Sequence, residues 1–202
     1  MSITSTHNQK LKQVRKLLMR RRERERSGRF VAEGEDLLSA ADAAGWQPLE
    51  RYCAAGSGLP GVELDPVLLS SVSGLGSGTR TLAVYQERWA GKPAGPLCVY
   101  LHGIHDPGNL GTILRSAQAF AASSVALGPG TADPFSPKAV RASMGAIFSV
   151  TIAKTTEVAR LPGTRIALIA GAGAPLDELW RFGSVGRNRD ANVRQPQEVT
   201  LL

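Results

Sequence analysis

The stretch that limits the fold most is Asp106–Phe120, DPGNLGTILRSAQAF, because turn, cap and apolar spacing converge in it. Asp106-Pro107-Gly108 is turn chemistry: Pro presets one dihedral and Gly tolerates positive φ. Asn109 then stands where a helix N-cap side chain is wanted. Ile113, Leu114, Ala117 and Phe120 recur at helical spacing, so that face is expected to pack inward with Arg115 beside it. The run Leu97–Leu101 just before is short, apolar and of strand type. Strand, turn and helix in that order describe a parallel α/β unit, in which ligands sit at the strand's carboxyl end and the helix start.

The flanking segments repeat this alternation. Ser124–Gly128 reads as the next parallel strand, and Ser136-Pro137 as an N-cap followed by Pro at the first helical position. The helix begun there carries Lys138 and Arg141 one turn apart, with Val140 and Met144 on an apolar line. Phe148–Ile152 and Arg165–Ala170 read as two further strands, giving a mostly parallel sheet. Upstream, Phe30–Ala41 reads as a strand running into a helix that stops near Gly45. Arg51–Ala55 and Thr81–Tyr85 read as strands and Pro66–Val72 as a helix. The loops Gly56–Gly58 and Gly74–Gly78 lack the Lys-Ser/Thr of a phosphate-cradling loop. Trp89–Pro96 breaks all periodicity and marks a boundary. The expected division is 1–90, a linker at 91–96, a second domain at 97–179, and a tail at 180–202.

Charge is distributed unevenly. Residues 1–29 hold ten Lys/Arg against two Glu, a balance of +8 out of the chain's +7, so the remainder is −1. Leu11, Val14, Leu17 and Leu18 make an amphipathic helix whose other faces carry Lys10, Lys12, Arg15 and Lys16. Arg20–Arg26 continues it or frays from it. Such a basic arm suits a polyanion, through release of condensed counterions, although a solvated helix face has the same composition. Cys53 and Cys98 lack metal-ligand spacing and read as reduced thiols, and His102 and His105 have no third ligand nearby, so no metal is expected. No apolar run approaches a membrane span and the N-terminus has no signal-peptide core, which reads as cytoplasmic.

Asn109-Leu-Gly-Thr-Ile-Leu-Arg115 and Ser136-Pro-Lys-Ala-Val-Arg-Ala-Ser-Met-Gly145-Ala together resemble the motifs of the SpoU (TrmH-like) RNA ribose 2′-O-methyltransferases of the SPOUT superfamily. The N-terminal part, through Ile3–Asn8, Arg29–Gly34 and Thr81–Val84, is similar to the small substrate-binding domain that many members carry. The resemblance covers about residues 1–179. It implies a small L30e-like α/β domain followed by a SPOUT-type, α/β-knot parallel-sheet domain, and methyl transfer from S-adenosylmethionine to a ribose 2′-hydroxyl of rRNA or tRNA. It implies Asn109 and Arg115 at the catalytic centre, Arg115 as phosphate anchor rather than general base because a guanidinium stays protonated. Lys10, Arg20, Arg21, Arg22, Lys138, Arg141 and Ser143 are the expected RNA contacts. It also implies a homodimer.

The sequence departs from the family in two places. Phe120 is followed by Ala121-Ala122 where the family has Gly. After Leu179 the expected further strand, Gly-rich acidic loop and Ser/Asn-bearing segment are not found, so the methyltransferase domain reads as incomplete and 180–202 as a disordered tail from a truncated or frame-shifted gene product. The cofactor-binding residues are therefore unassigned, and an RNA-binding protein without catalysis is the alternative. A third reading, a doubly wound nucleotide-binding enzyme, rests on Gly171-Ala-Gly173, but Leu176 stands where the third Gly belongs.

Overall fold

The fold is described from a computed structural model, which covers residues 8–75, 78–167 and the backbone of 199–201. Two sheets pack face to helix to face. The first takes β1 (Arg29–Glu33), β2 (Glu50–Ala54), β3 (Val62–Leu64) and β4 (Thr81–Gln86) in the order β1-β4-β2-β3. Here β4 runs antiparallel to both β1 and β2, while β2 and β3 are parallel. Strand periodicity of two divides its side chains: Val31, Tyr52, Leu82 and Val84 face α1 (Gln9–Met19) and α4 (Pro66–Val72), through Leu11, Val14, Leu17, Leu68 and Leu69. Phe30, Ala32, Ala83 and Tyr85 face the other way, toward α3 (Glu35–Ala43) and the second unit.

The second sheet is wholly parallel: β5 (Leu97–Leu101), β6 (Ser124–Leu127), β7 (Ile152–Lys154), β8 (Thr164–Ile166) and β9 (Val199–Leu201), in the order β7-β6-β5-β9-β8. Strand β9 places residues 199–201, expected in a disordered tail, within the sheet; residues 180–198 of that tail lie outside the described residues. Its three residues pair with β5 on one side and β8 on the other. A three-residue strand is too short for period-two alternation to announce it. Residues 168–198, including Gly171–Gly173, lie outside the described residues.

Helix α5 (Pro107–Ala119) buries Leu110, Leu114 and Ala117, and α6 (Pro137–Ala142) buries Ala139 and Val140. Two expected inward residues turn out: Phe120 is 79% and Met144 63% exposed. Phe120 is the C-cap of α5 and Met144 leaves the helix at φ 49°, so neither continues the apolar stripe. The expected strand over Phe148–Ile152 is also corrected: Ala146–Phe148 is a 3₁₀ turn with all three side chains buried, and the strand starts only at Ile152. The helix through Arg26 is two helices, broken at extended Arg20, with α2 spanning Arg21–Ser27.

One apolar cluster joins both units. Phe30, Trp46 and Tyr85 of the first meet Leu114, Phe135 and Phe148 of the second, and the indole N–H of Trp46 donates to the Phe148 carbonyl at 2.8 Å. The ring centroids of Phe30 and Phe135 lie 4.8 Å apart.

Candidate active site and RNA-binding surface

Helices α5 and α6 meet at Gly111. A β-carbon there would lie 2.5 Å from the Ala139 carbonyl oxygen and 2.6 Å from the Ala142 β-carbon. The glycine is therefore needed for close approach, not for backbone freedom. Its effect is to set the first motif directly against the second.

Asp106, rather than Asn109, caps α5. Its Oδ1 accepts from the Asn109 backbone N–H at 2.8 Å, with Pro107 in the first turn. The Asx-Pro turn thus starts the helix three residues before the expected helical start. That leaves Asn109 in the first turn with its side chain exposed. Lys138 reaches back from α6 to the other oxygen of Asp106, at 2.5 Å. Its ammonium, then the Asn109 N–H, hold the Asp106 carboxyl below the usual aspartate range. Lys138, expected on RNA, is instead tied to the helix cap, although its side chain stays 59% exposed.

Arg115 stands exposed on α5 with no hydrogen-bond or ion-pair partner among the described residues. The remaining motif residues are placed differently. Ser143, expected to touch RNA, is fully buried, and its hydroxyl donates to the Val140 carbonyl at 2.7 Å; that expectation is corrected. A short hydroxyl on a six-residue helix closes the last turn instead of facing solvent. Arg141 is turned toward the first unit, with Nη1 3.6 Å from Oε2 of buried Glu33. The separation is too long for a hydrogen bond, but it assigns this guanidinium to the seam rather than to open solvent.

In the basic arm, Arg20 and Arg22 are exposed and unpartnered among the described residues. Arg21 pairs with Glu25 at 2.8 Å, and Lys10 lies 3.7 Å from Glu50. Surface pairs of this kind contribute about 0–1 kcal/mol and exchange easily for phosphate. Arg24 does something the charge run concealed. Only 5% exposed, it donates to the Leu17 carbonyl at 2.6 Å and to Asp133 of the second unit at 2.8 Å. Asp133 also accepts from the Phe135 N–H at 2.9 Å, so one arginine fixes α2 against the loop leading into α6. Its position one turn after Arg20, beside the apolar stripe, was the only hint in the sequence.

Strands β5, β6 and β7 step outward one way, while β9 and β8 lie on the other side of β5. That reversal beside β5 is a topological switch point, where open parallel sheets bind ligands beyond their carboxyl ends. Helix α5 starts from the same edge. Among the described residues no three or more metal-capable side chains gather, and no helix is long and apolar enough to cross a membrane.

A parallel sheet with a switch point, two interlocked motif helices and an appended mixed-sheet unit carrying cations define a two-unit α/β protein with a candidate ligand site beside β5. Residues 96–170 match the SpoU rRNA Methylase family and residues 8–65 the MRM3-like substrate binding domain. Residues 96–170 belong to the SpoU rRNA methylase family. It is 29% identical over 220 residues to the 23S rRNA (guanosine(2553)-2′-O)-methyltransferase RlmP of Bacillus subtilis, covering 98% of this chain and 88% of that protein. It is 46% identical over 67 residues to the mouse mitochondrial rRNA methyltransferase 3, covering 33% of this chain and 16% of that protein. The chain thus spans less than two thirds of the length of some of its relatives. An rRNA methyltransferase from Sinorhizobium meliloti superposes with a TM-score of 0.76 at 25% identity, over 100% of this chain and 80% of that one. The structure of an AdoMet-bound rRNA methyltransferase from the same organism superposes at 0.74. The family uses S-adenosylmethionine.

Proposed function

We propose that this chain methylates the ribose 2′-hydroxyl of an rRNA or tRNA nucleotide, working as a cytoplasmic homodimer. The observation that carries the reading is Arg115: a cation without a partner among the described residues, on a helix whose start is capped and cross-tied at the switch-point edge. A guanidinium so placed is suited to hold the phosphate beside the reacting ribose and orient the hydroxyl for in-line attack. Exposed Asn109 lies on the same helix, about one and two-thirds turns earlier, and supports the nucleotide. S-adenosylmethionine, when bound, supplies the electrophilic sulfonium methyl. The switch point beside β5 is the kind of place where an open parallel sheet would receive it.

The test is Arg115→Ala, assayed for methyl transfer to RNA with radiolabelled S-adenosylmethionine. The expected result is loss of transfer with an unchanged melting temperature; retained transfer would remove Arg115 from the site. A second reading, an RNA-binding protein without catalysis, is favoured by the exposed cations of α1 and α2, whose elements pack without any cofactor. Calorimetric titration of S-adenosylmethionine into the chain separates the two. Heat of binding supports the enzyme, and its absence in a folded chain that binds RNA supports the alternative.

A further inference from the structure

Beyond the motif face, the molecule has a second candidate site. A cleft of about 1040 Å³ opens between the two units. Its floor is the loop 128–134 after β6, one wall is α2, and the rim runs through the linker after β4 and the residues that follow β7. It therefore lies both at the carboxyl edge of the parallel sheet and at a unit boundary, two places where ligands collect. The volume is at the top of the range of about 300–1,000 Å³ occupied by small-ligand pockets, which leaves room for more than one nucleotide.

The chemistry of its lining selects an anion. Four cations reach it from four separate segments: Arg21, Lys92, Lys154 and Arg160. Every carboxylate of the lining is already engaged. Glu25 accepts from Arg21 and Asp133 from Arg24, both at 2.8 Å, and Glu87 accepts from the Trp89 indole N–H at 2.8 Å. Lys92 has no partner among the described residues, and Arg160 makes only an exposed pair with Glu157. Lys154 rests over the Trp89 ring, 4.0 Å from its centroid, and that ring stands edge-on to Phe135. Spare donors spaced along a groove, with an indole at hand, are what single-stranded nucleic acid uses: cations track the backbone and an aromatic face receives a base.

We propose that this cleft holds a single-stranded segment of the substrate RNA, next to the nucleotide that is methylated. The inference rests on RNA being the substrate. Phosphates replace the surface partners of Arg21 and Arg160 and draw Lys154 off the indole, which then stacks a base. Arg20, just before α2, and Arg22 on it continue the cationic track outside, beside the Arg24 tie to the loop forming the floor.

The test measures binding of a fluorescein-labelled twelve-nucleotide mixed-sequence RNA to the full chain by anisotropy, across a series of KCl concentrations. The variants are Lys92→Gln/Lys154→Gln/Arg160→Gln in the cleft and Arg20→Gln/Arg22→Gln on the arm. The cleft variant is expected to flatten the log–log salt slope by about 2, at roughly 0.7 for each lost contact, which is about a hundredfold in Kd at 0.1 M salt. RNA should quench wild-type tryptophan emission, and Trp89→Phe should lose that quenching. If wild type binds RNA and the arm variant weakens it while the cleft variant does not, the cleft proposal is overturned and the broader reading stands. If wild type binds no RNA at all, both fall. None of the six substituted side chains is buried, so equal melting temperatures check that folding is intact.

Discussion

The seam between the two units and the outer face of α5 use the same residue type in opposite ways. At the seam, Arg24 is buried and its guanidinium is taken up by the Leu17 carbonyl and the Asp133 carboxylate. On α5, Arg115 is exposed and meets no partner among the described residues. A buried cation with full partners is part of the architecture, because removing it strands a desolvated carboxylate. An exposed cation without partners contributes little to stability and is available to a ligand. The difference shows that the role open to a cation in this chain is set by its partners rather than by its charge.

The sharpest way to break this contrast is Arg24→Ala. It leaves Asp133, whose side chain is 12% exposed, without its counter-charge, and removes the tie between α2 and the second unit. The expected loss is about 3–5 kcal/mol, read as a lower urea midpoint. Arg115→Ala, measured alongside, should stay within about 0.5 kcal/mol of wild type. Similar losses in both would erase the distinction.

A smaller loss is expected at the contact between the motif helices. Gly111→Ala places a methyl group against backbone and the Ala142 side chain, neither of which can swing away. Overpacking of this kind costs about 1–3 kcal/mol. It should also lower methyl transfer more than it lowers RNA binding, because it displaces the start of α5 and leaves α1 and α2 in place. Equal losses of both would mean that the two units move together.

How much of this could be read in the sequence differs between the two regions. The alternation of strands and helices and the core face of α1 were legible because burial writes itself as periodicity. The site was legible only through residue types. Asp106 and Asn109 both cap helices well, and Pro107, which prefers the first turn, decided for Asp106. Ser143 looked like a contact residue, yet short hydroxyls close helix turns equally well. Arg24 was hidden among the four other arginines of Arg20–Arg26, since its partner Asp133 lies 109 residues away. Strand β9 carries three residues of pattern, too few to declare a register.

The departure at Ala121 has a structural consequence in the opposite direction. Ala121 lies at φ 54°, its N–H bonding to the Gln118 carbonyl at 3.1 Å and the Ala122 N–H to the Ala117 carbonyl at 2.8 Å. These are the two bonds of a Schellman cap, in which the left-handed position favours glycine. The left-handed conformation costs an L-residue about 1–2 kcal/mol, and glycine returns about 0.4–1 kcal/mol of that as chain entropy in the unfolded state. Ala121→Gly should therefore stabilise the chain by about 0.5–1 kcal/mol, seen as a raised midpoint with activity kept. No gain would mean that the turn relaxes to accommodate alanine.

The smallest effect is expected at Glu87, between seam and cleft. Burial raises its carboxyl above the ordinary glutamate range, against the lowering effect of the Trp89 N–H. A folded-state pKa above the unfolded one favours the protonated form, so the stability it contributes is present at low pH and is lost as pH rises through the folded value. Glu87→Gln keeps an acceptor for the indole and removes the buried charge. It should melt slightly above wild type at pH 7, and the difference should vanish below pH ~4, where the wild-type carboxyl is protonated in both states. If the cleft takes RNA, the same substitution removes one negative charge from its wall and tightens RNA binding at low salt. A stability gain without that tightening would place Glu87 in the seam alone.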